Sequence, residues 1–83
     1  MQVKVYTLMS CNASQDFIYY LRYSNFTHRV FKLYDSKYPK AEYDTTLEEL
    51  EKQYSRRFHT LPIIFIDDRL YPSISAAKEK LNV

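Results

Sequence analysis

Four short stretches of the chain carry apolar side chains in patterns typical of β-strands. Residues 2–9, QVKVYTLM, alternate polar and apolar side chains, and residues 28–35, HRVFKLYD, do so again. From Ile63 to Asp67 the side chains are mostly β-branched or aromatic, which is typical of a strand buried on both faces. Residues 69–71 predict a short return strand after a tight turn at Asp67 and Asp68.

Three other stretches place apolar residues at helical spacing. The first helix is predicted from Asn12 to about Tyr23 and the second from Thr46 to Arg57, where Thr46 and Glu49 fit a capping box. The third runs from Ser73 to Leu81. Residues 35–44 contain a proline and five charges without periodicity, so we expect an exposed loop there.

The predicted order is βαβ, then α, then ββα, in one domain that covers residues 1–83. A parallel strand pair surrounds the first helix, and an antiparallel hairpin lies near the end of the chain. Hydrophobic residues make up 46% of the sequence and aromatic residues 17%. That is enough apolar surface for one core without disulfides or a structural metal.

Charge and composition exclude several classes of protein. The net charge of +2 is scattered rather than clustered, which argues against a nucleic-acid binder. No apolar run approaches the length of a membrane span, and the opening residues MQVKVYTLMS do not fit a signal peptide, so we expect a cytoplasmic protein. The chain has no glycine, which excludes glycine-rich phosphate-binding loops.

Cys11 is the single cysteine and lies where the first strand gives way to the first helix. Unpaired N–H groups and the positive end of the helix dipole favour a thiolate at such a position, so Cys11 is a candidate nucleophile. The alternative is a small, buried and inert side chain. His28 and His59 lie far from Cys11 and from each other in the sequence, so we expect no structural metal site.

These features together resemble the thioredoxin fold in its minimal glutaredoxin form, over essentially the whole chain. The resemblance rests on VYT leading to Cys11, on TLPIIFI at residues 60–66, and on the helix after the final hairpin. It implies an α/β fold with a central four-stranded mixed sheet flanked by three helices. It also implies a thiol-disulfide oxidoreductase that uses glutathione as cosubstrate, needs no metal and works as a monomer.

The resemblance assigns roles to particular residues. Cys11 attacks glutathione mixed disulfides of partner proteins, and Ser14, in the place of a second cysteine, can hydrogen-bond the thiolate but cannot resolve a disulfide. A monothiol route, in which a second glutathione frees Cys11, remains. The glutathione site comprises the backbone of Leu61, the cis-proline Pro62, the N–H groups of Ser73 and Ile74, and the charge of Arg57.

Three departures from the family pattern keep other functions open. Leu8 stands where a lysine is common, Tyr71 and Pro72 replace a glycine pair, and His59 replaces an arginine. These departures and the absent second cysteine favour an alternative, a thioredoxin-fold interaction module with little or no catalysis. A third reading, iron–sulfur sharing through Cys11 and glutathione, ranks last because CNAS at residues 11–14 does not match the CGFS motif of that branch.

Overall fold

The structure is a computed structural model that describes residues 1–8, 11–34 and 43–82. Its helices and strands follow the predicted order: β1 (Val3–Thr7), α1 (Asn12–Tyr23), β2 (His28–Lys32), α2 (Leu47–Tyr54), β3 (Ile63–Ile66), β4 (Arg69–Tyr71) and α3 (Ile74–Leu81). Met9 of the predicted first strand and residues 35–42 of the predicted loop and second strand lie outside the described residues.

The four strands form one mixed sheet in the order β2-β1-β3-β4. β1 pairs with β2 in parallel and with β3 antiparallel, and β3 pairs with β4 antiparallel. The described part of the chain therefore confirms an α/β fold with a four-stranded mixed sheet and three helices. β1 is the only one of these strands that has both a parallel and an antiparallel neighbour.

The sheet buries apolar side chains on both faces, because helices cover each of them. On one face, α1 and α3 contribute Phe17, Leu21, Ala77 and Leu81 to a core that includes Val3, Val5, Ile64 and Ile66. On the other face, Leu50 of α2 joins Tyr6, Leu33, Ile63 and Phe65. Alternate residues of β1 and β3 thus enter different cores, as the period of two along a strand requires.

Aromatic stacking holds α2 against its face of the sheet. The ring of Tyr54 stacks on Phe65 with 4.5 Å between centroids, and Phe58 meets Phe65 edge-on at 6.2 Å. Tyr6 stacks on Phe31 at 4.6 Å, and its burial, together with the nearby Tyr54, raises its pKa to about 12. These contacts anchor the chain on both sides of residues 59–62, which lead into β3.

The predicted second helix is too long at its C-terminal end, because α2 stops at Tyr54 and Arg57 lies beyond it. Ser55 adopts the left-handed conformation, with φ 54° and ψ 40°. Its N–H donates to the Lys52 carbonyl at 3.3 Å, and the Arg56 N–H donates to the Glu51 carbonyl at 3.1 Å. These two bonds form a Schellman motif, which reverses the chain and ends the helix.

Hydroxyl side chains cap the starts of α2 and α3, and one of these caps, Thr46, is the predicted one. The hydroxyl of Thr46 accepts the Glu49 N–H at 3.1 Å, and the hydroxyl of Ser73 accepts the Ala76 N–H at 3.1 Å. The Glu49 carboxylate accepts from the Thr45 hydroxyl at 3.2 Å instead of closing the predicted box. Ser73 is thus the N-cap of α3 rather than its first helical residue.

Three strands are shorter than their sequence patterns predict. β1 spans Val3–Thr7 and includes neither Gln2 nor Leu8. β2 ends at Lys32, after which Leu33 forms an isolated parallel bridge with Thr45. β3 ends at Ile66, because Asp67 and Asp68 both have positive φ, 49° and 67°, and turn the chain into β4. A two-residue hairpin needs this conformation, and aspartate tolerates it better than most residues other than glycine. Within the described residues, no helix combines the length and apolar character needed to cross a membrane.

Replacing Ser55 by glycine should stabilise the protein. A left-handed conformation costs a residue with a Cβ atom about 1 kcal/mol, and glycine avoids that cost. For a domain of this size, Ser55→Gly should raise the melting temperature by about 4–8 °C in a thermal unfolding experiment followed by circular dichroism. Ser24→Gly is the matched control, because Ser24 ends α1 with φ −92° and ψ 3°. The control should give no gain, and equal shifts in the two variants would contradict the explanation.

Candidate active site

Cys11 is the N-cap of α1, immediately before the first helical residue. Its backbone N–H donates to the Leu8 carbonyl at 3.2 Å, and its own carbonyl accepts the Gln15 N–H at 3.2 Å. The Cys11 side chain makes no capping hydrogen bond, although serine, threonine and aspartate usually do so at this position. The sulfur is thus partly exposed beside the N–H groups of the first helical turn.

Two buried hydroxyls lie behind the cysteine. Ser14 is fully buried and Thr7 is 2% exposed. The Thr7 hydroxyl donates a hydrogen bond to the Ser14 oxygen. Because each hydroxyl has one proton, a Ser14 that accepts from Thr7 is free to donate its own proton to the Cys11 sulfur. The Thr7 and Ser14 hydroxyls are thus ordered behind Cys11, with the Thr7 oxygen also 3.2 Å from the Leu8 carbonyl oxygen, and we call this pair of hydroxyls the hydroxyl chain.

This surrounding lowers the pKa of the Cys11 thiol below its ordinary value. The largest contribution is the hydrogen bond from the Ser14 hydroxyl to the thiolate, and partial burial opposes it. The backbone N–H groups of Ser14 and Ala13 lower the pKa further, and the Thr7 hydroxyl acts in the same direction while its own proton is directed to the Ser14 oxygen. All of these donors stabilise the charged form, so the site favours the thiolate, which is the nucleophilic form of cysteine.

The segment Leu61–Pro62 lies at the same end of the sheet as Cys11. In the antiparallel register, Tyr6 of β1 faces Ile63 of β3. Pro62, the residue before β3, is therefore level with Thr7, the last residue of β1. The peptide bond between Leu61 and Pro62 is cis, the isomer that the resemblance implies.

The N-terminus of α3 lies at this end as well. β4 runs antiparallel to β3, and Tyr71 faces Ile64, so the chain leaves β4 beside the start of β3. Ser73 then caps the helix through the Ala76 N–H. The N–H groups of Ile74 and Ser75 precede the first intrahelical hydrogen bonds and are suited to an anion.

Two neighbouring cavities lie along these elements, and we call the two together the trough. A cavity of about 320 Å³ is lined by residues that include Arg56, Arg57, His59, Tyr71 and Pro72. A second, of about 210 Å³, is lined by Thr60, Leu61, Pro62, Pro72, Ser73, Ile74 and Ser75. Thr60, Pro62 and Pro72 line both, so the two cavities are neighbours on either side of these shared residues.

The trough contains five of the seven residues that the sequence predicted for the site: Arg57, Leu61, Pro62, Ser73 and Ile74. Cys11 and Ser14 line neither cavity. The strand register places them at the same end of the sheet, beyond the start of β3. Arg57 lines the larger cavity from the segment after α2, not from a helix.

The departures from the family pattern have defined places in the structure. Leu8 packs against the core beneath α2 and contributes no charge to the site. Tyr71 packs against the core on the opposite face and also lines the larger cavity. His59 is exposed and lines the same cavity as Arg56 and Arg57. Tyr71 and Pro72 therefore form part of the trough wall, where the family has glycines.

Thr7 is the residue of the site that sequence reasoning missed. It shares a strand face with Val3 and Val5, which enter the core beneath α1. A hydroxyl on an otherwise apolar face needs a hydrogen-bond partner, and one turn into α1 the chain offers Ser14. The alternation of β1 was thus the available signal, but pairing the two hydroxyls requires the packing of α1 on the sheet.

Side chains suited to a metal do not converge in the described parts of the chain. There, no three histidine, cysteine, aspartate or glutamate side chains lie close enough to hold an ion together.

Comparison of the sequence with protein-family models and with curated proteins found no match.

Removing the Ser14 hydroxyl should raise the pKa of Cys11. The midpoint of the Cys11 titration can be read from the rate of alkylation by iodoacetamide as a function of pH. We expect the midpoint of the folded protein to lie below that of the same protein in denaturant, and Ser14→Ala should move it towards the denatured value.

A control for lost stability is Thr46→Ala, which removes the N-cap of α2 at a cost of about 1 kcal/mol but touches no donor to Cys11. Its alkylation midpoint should equal that of the unmodified protein. An unchanged midpoint in Ser14→Ala would show that the hydroxyl chain does not activate the thiol.

Proposed function

We propose that this protein is a glutaredoxin-like thiol-disulfide oxidoreductase that acts on glutathione mixed disulfides through Cys11. The observation that carries the proposal is a cysteine of lowered pKa at a helix N-terminus, at the same end of the sheet as Pro62 and the start of α3. Reactive cysteines are found in partly exposed surroundings that stabilise the thiolate, and Cys11 is in such a place. We infer that the mixed sheet and its three helices are the thioredoxin fold in its glutaredoxin form.

The reaction needs one thiol of the protein and two molecules of glutathione. The Cys11 thiolate attacks the glutathione sulfur of a protein–glutathione disulfide, and the protein sulfur leaves as a thiolate that takes a proton from water. Cys11 then carries glutathione as a mixed disulfide. A second glutathione thiolate attacks the bound glutathione sulfur, releases oxidised glutathione and restores the Cys11 thiolate, so electrons and atoms balance.

The trough offers groups for both ends of a glutathione molecule. Glutathione carries one carboxylate at each end, and the trough has the guanidinium of Arg57 at one end and the N-terminus of α3 at the other. Between them, the backbone of Leu61 can pair with the cysteine of glutathione in the manner of an added strand. Ser73 and Ile74 supply backbone N–H groups, which need no particular side chain.

Ser14 determines which reactions remain open to Cys11. Disulfide exchange needs a thiolate, which serine does not provide, so the protein follows a monothiol route. Cys11 depends on glutathione for its return to the reduced form. Buried behind Cys11, the Ser14 hydroxyl is suited to stabilising the thiolate both as attacking group and as leaving group. We accordingly propose glutathionylated proteins as substrates, a monomer as the working form and the reducing cytoplasm as its location.

The catalytic part of the proposal predicts turnover of a glutathione mixed disulfide. In an assay coupled to glutathione reductase and NADPH, the protein should oxidise NADPH in a manner that depends on glutathione, and Cys11→Ser should not. Ser14→Ala should be slower than the unmodified protein at neutral pH, because a smaller fraction of Cys11 is thiolate. If the unmodified protein were no faster than Cys11→Ser, the catalytic claim would be contradicted.

The binding part of the proposal predicts a localised effect of glutathione. In an NMR titration with reduced glutathione, backbone amide signals of Leu61, Ser73 and Ile74 should shift. Arg57→Ala should weaken binding by roughly two- to fivefold, the range expected for one exposed charge pair. The matched control is Arg22→Ala, which removes an exposed arginine on α1 and should leave the affinity unchanged.

The two experiments separate the proposed enzyme from the interaction module. Glutathione binding without turnover would favour a module that retains the site but not the activated thiol. If neither turnover nor glutathione binding were observed, the trough would be without its proposed ligand and the function as a whole would be contradicted.

A further inference from the structure

Among the described residues, the outer edge of β2 is open over a short and defined window. The Val3 N–H donates to the Thr27 carbonyl at 3.0 Å, and the Leu33 N–H donates to the Thr7 carbonyl at 2.9 Å. In a parallel ladder the bonding residues alternate, so Arg29 and Phe31 also bond inward to β1. His28, Val30 and Lys32 consequently direct their backbone N–H and C=O groups away from the sheet.

Both ends of this outer edge are closed by the protein itself. At the C-terminal end, the Lys32 N–H donates to the Asp44 carboxylate at 2.8 Å, and the Lys32 carbonyl accepts the N–H groups of Asp44 at 2.8 Å and Thr45 at 3.3 Å. At the other end, the Nδ1 atom of His28 lies 2.8 Å from the Phe26 carbonyl oxygen. Within the described residues, His28 and Val30 keep four outward backbone groups without a protein partner, and we call them the β2 window.

We propose that the β2 window binds an extended acidic segment of another protein, which adds to the sheet beside β2. Unpaired strand edges bind extended peptides through their backbone groups, and side chains at alternate positions provide selectivity. The four open groups match a segment of about three residues. Immediately beyond the window, Thr45 forms a one-residue parallel bridge with Leu33 at this same edge.

Charge distinguishes the proposed occupant from a second copy of this chain. Arg29 lies between His28 and Val30 and is exposed, with its guanidinium 5.2 Å from the centroid of Phe31. A symmetric dimer through the window would pair the two edges antiparallel about Arg29. That pairing sets Arg29 directly opposite Arg29 of the other copy, and like charges in this position destabilise a strand pair. An acidic residue opposite Arg29 would stabilise it instead.

The β2 window lies at the opposite end of the sheet from Cys11. His28 and Val30 face Val3 and Val5 near the start of β1, whereas Cys11 follows the end of β1. The proposal is therefore independent of the proposed function. A partner bound at the window leaves both the trough and Cys11 accessible.

The test is an NMR titration of the full isotope-labelled chain with a blocked synthetic peptide, Thr-Val-Glu-Val-Thr. β-branched residues favour the extended form, and the glutamate is placed to face Arg29. A peptide with lysine in place of the glutamate is the control. We expect the amide signals of His28 and Val30 to shift, with the lysine peptide binding roughly three- to tenfold more weakly. In the Arg29→Glu variant the order of the two peptides should reverse.

The reversal separates pairing at this edge from general attraction between an acidic peptide and a basic protein. Shifts confined to Leu61, Ser73 and Ile74 would place the peptide in the trough and overturn the proposal, as would unchanged spectra. The same peptide preference in Arg29→Glu would also overturn it. Shifts of His28 and Val30 that depend on protein concentration alone would show that a second copy occupies the window.

Discussion

The antiparallel pairing of β1 with β3 is the constraint on which the rest of the structure depends. It joins the first part of the chain to the last, and its register sets Tyr6 against Ile63. A shift by one residue would move every side chain of β3 to the other face and break both cores at once, because strand faces alternate with a period of two. The same register brings the end of β1, which leads to Cys11, level with Pro62. The packing of the core and the position of the candidate site are thus decided by one set of backbone hydrogen bonds.

The activation of Cys11 relies on neutral donors where a lysine is common in the family that the chain resembles. Leu8 packs into the core and cannot supply a charge, so the hydroxyl chain and the N–H groups of α1 remain. Each neutral donor stabilises a thiolate only modestly, but the Ser14 hydroxyl and the N–H groups of Ser14 and Ala13 act together on the sulfur. The Thr7 and Ser14 hydroxyls are buried, where water weakens their hydrogen bonds least. Burial of the sulfur acts in the opposite direction, and the donors outweigh it.

The absence of glycine from the sequence affects both the turns and the site. Positive φ angles occur at Asn25, Ser55, Asp67 and Asp68, three of them at the residue types that tolerate this conformation best after glycine. At the trough, Tyr71 and Pro72 present side chains where glycines would let a ligand approach the backbone closely. Anion binding at the start of α3 does not require glycine, because it uses the N–H groups of the first turn. The trough therefore has a bulkier wall at Tyr71 and Pro72, next to the N–H groups at the start of α3.

The sequence by itself determined the order of helices and strands, the cap at Thr46 and the placement of Cys11 at a helix start, because these depend on neighbours in the chain. It could not determine where α2 ends, since Ser55 adopts a left-handed conformation that helical periodicity through Arg57 does not reveal. It also could not pair Thr7 with Ser14, or bring Arg57, Leu61 and Ser73 to one trough, because those contacts arise only when α1 and α3 pack on the sheet. Local structure follows from adjacent residues, whereas the site is assembled from segments far apart in sequence, and strand register decides which of them meet.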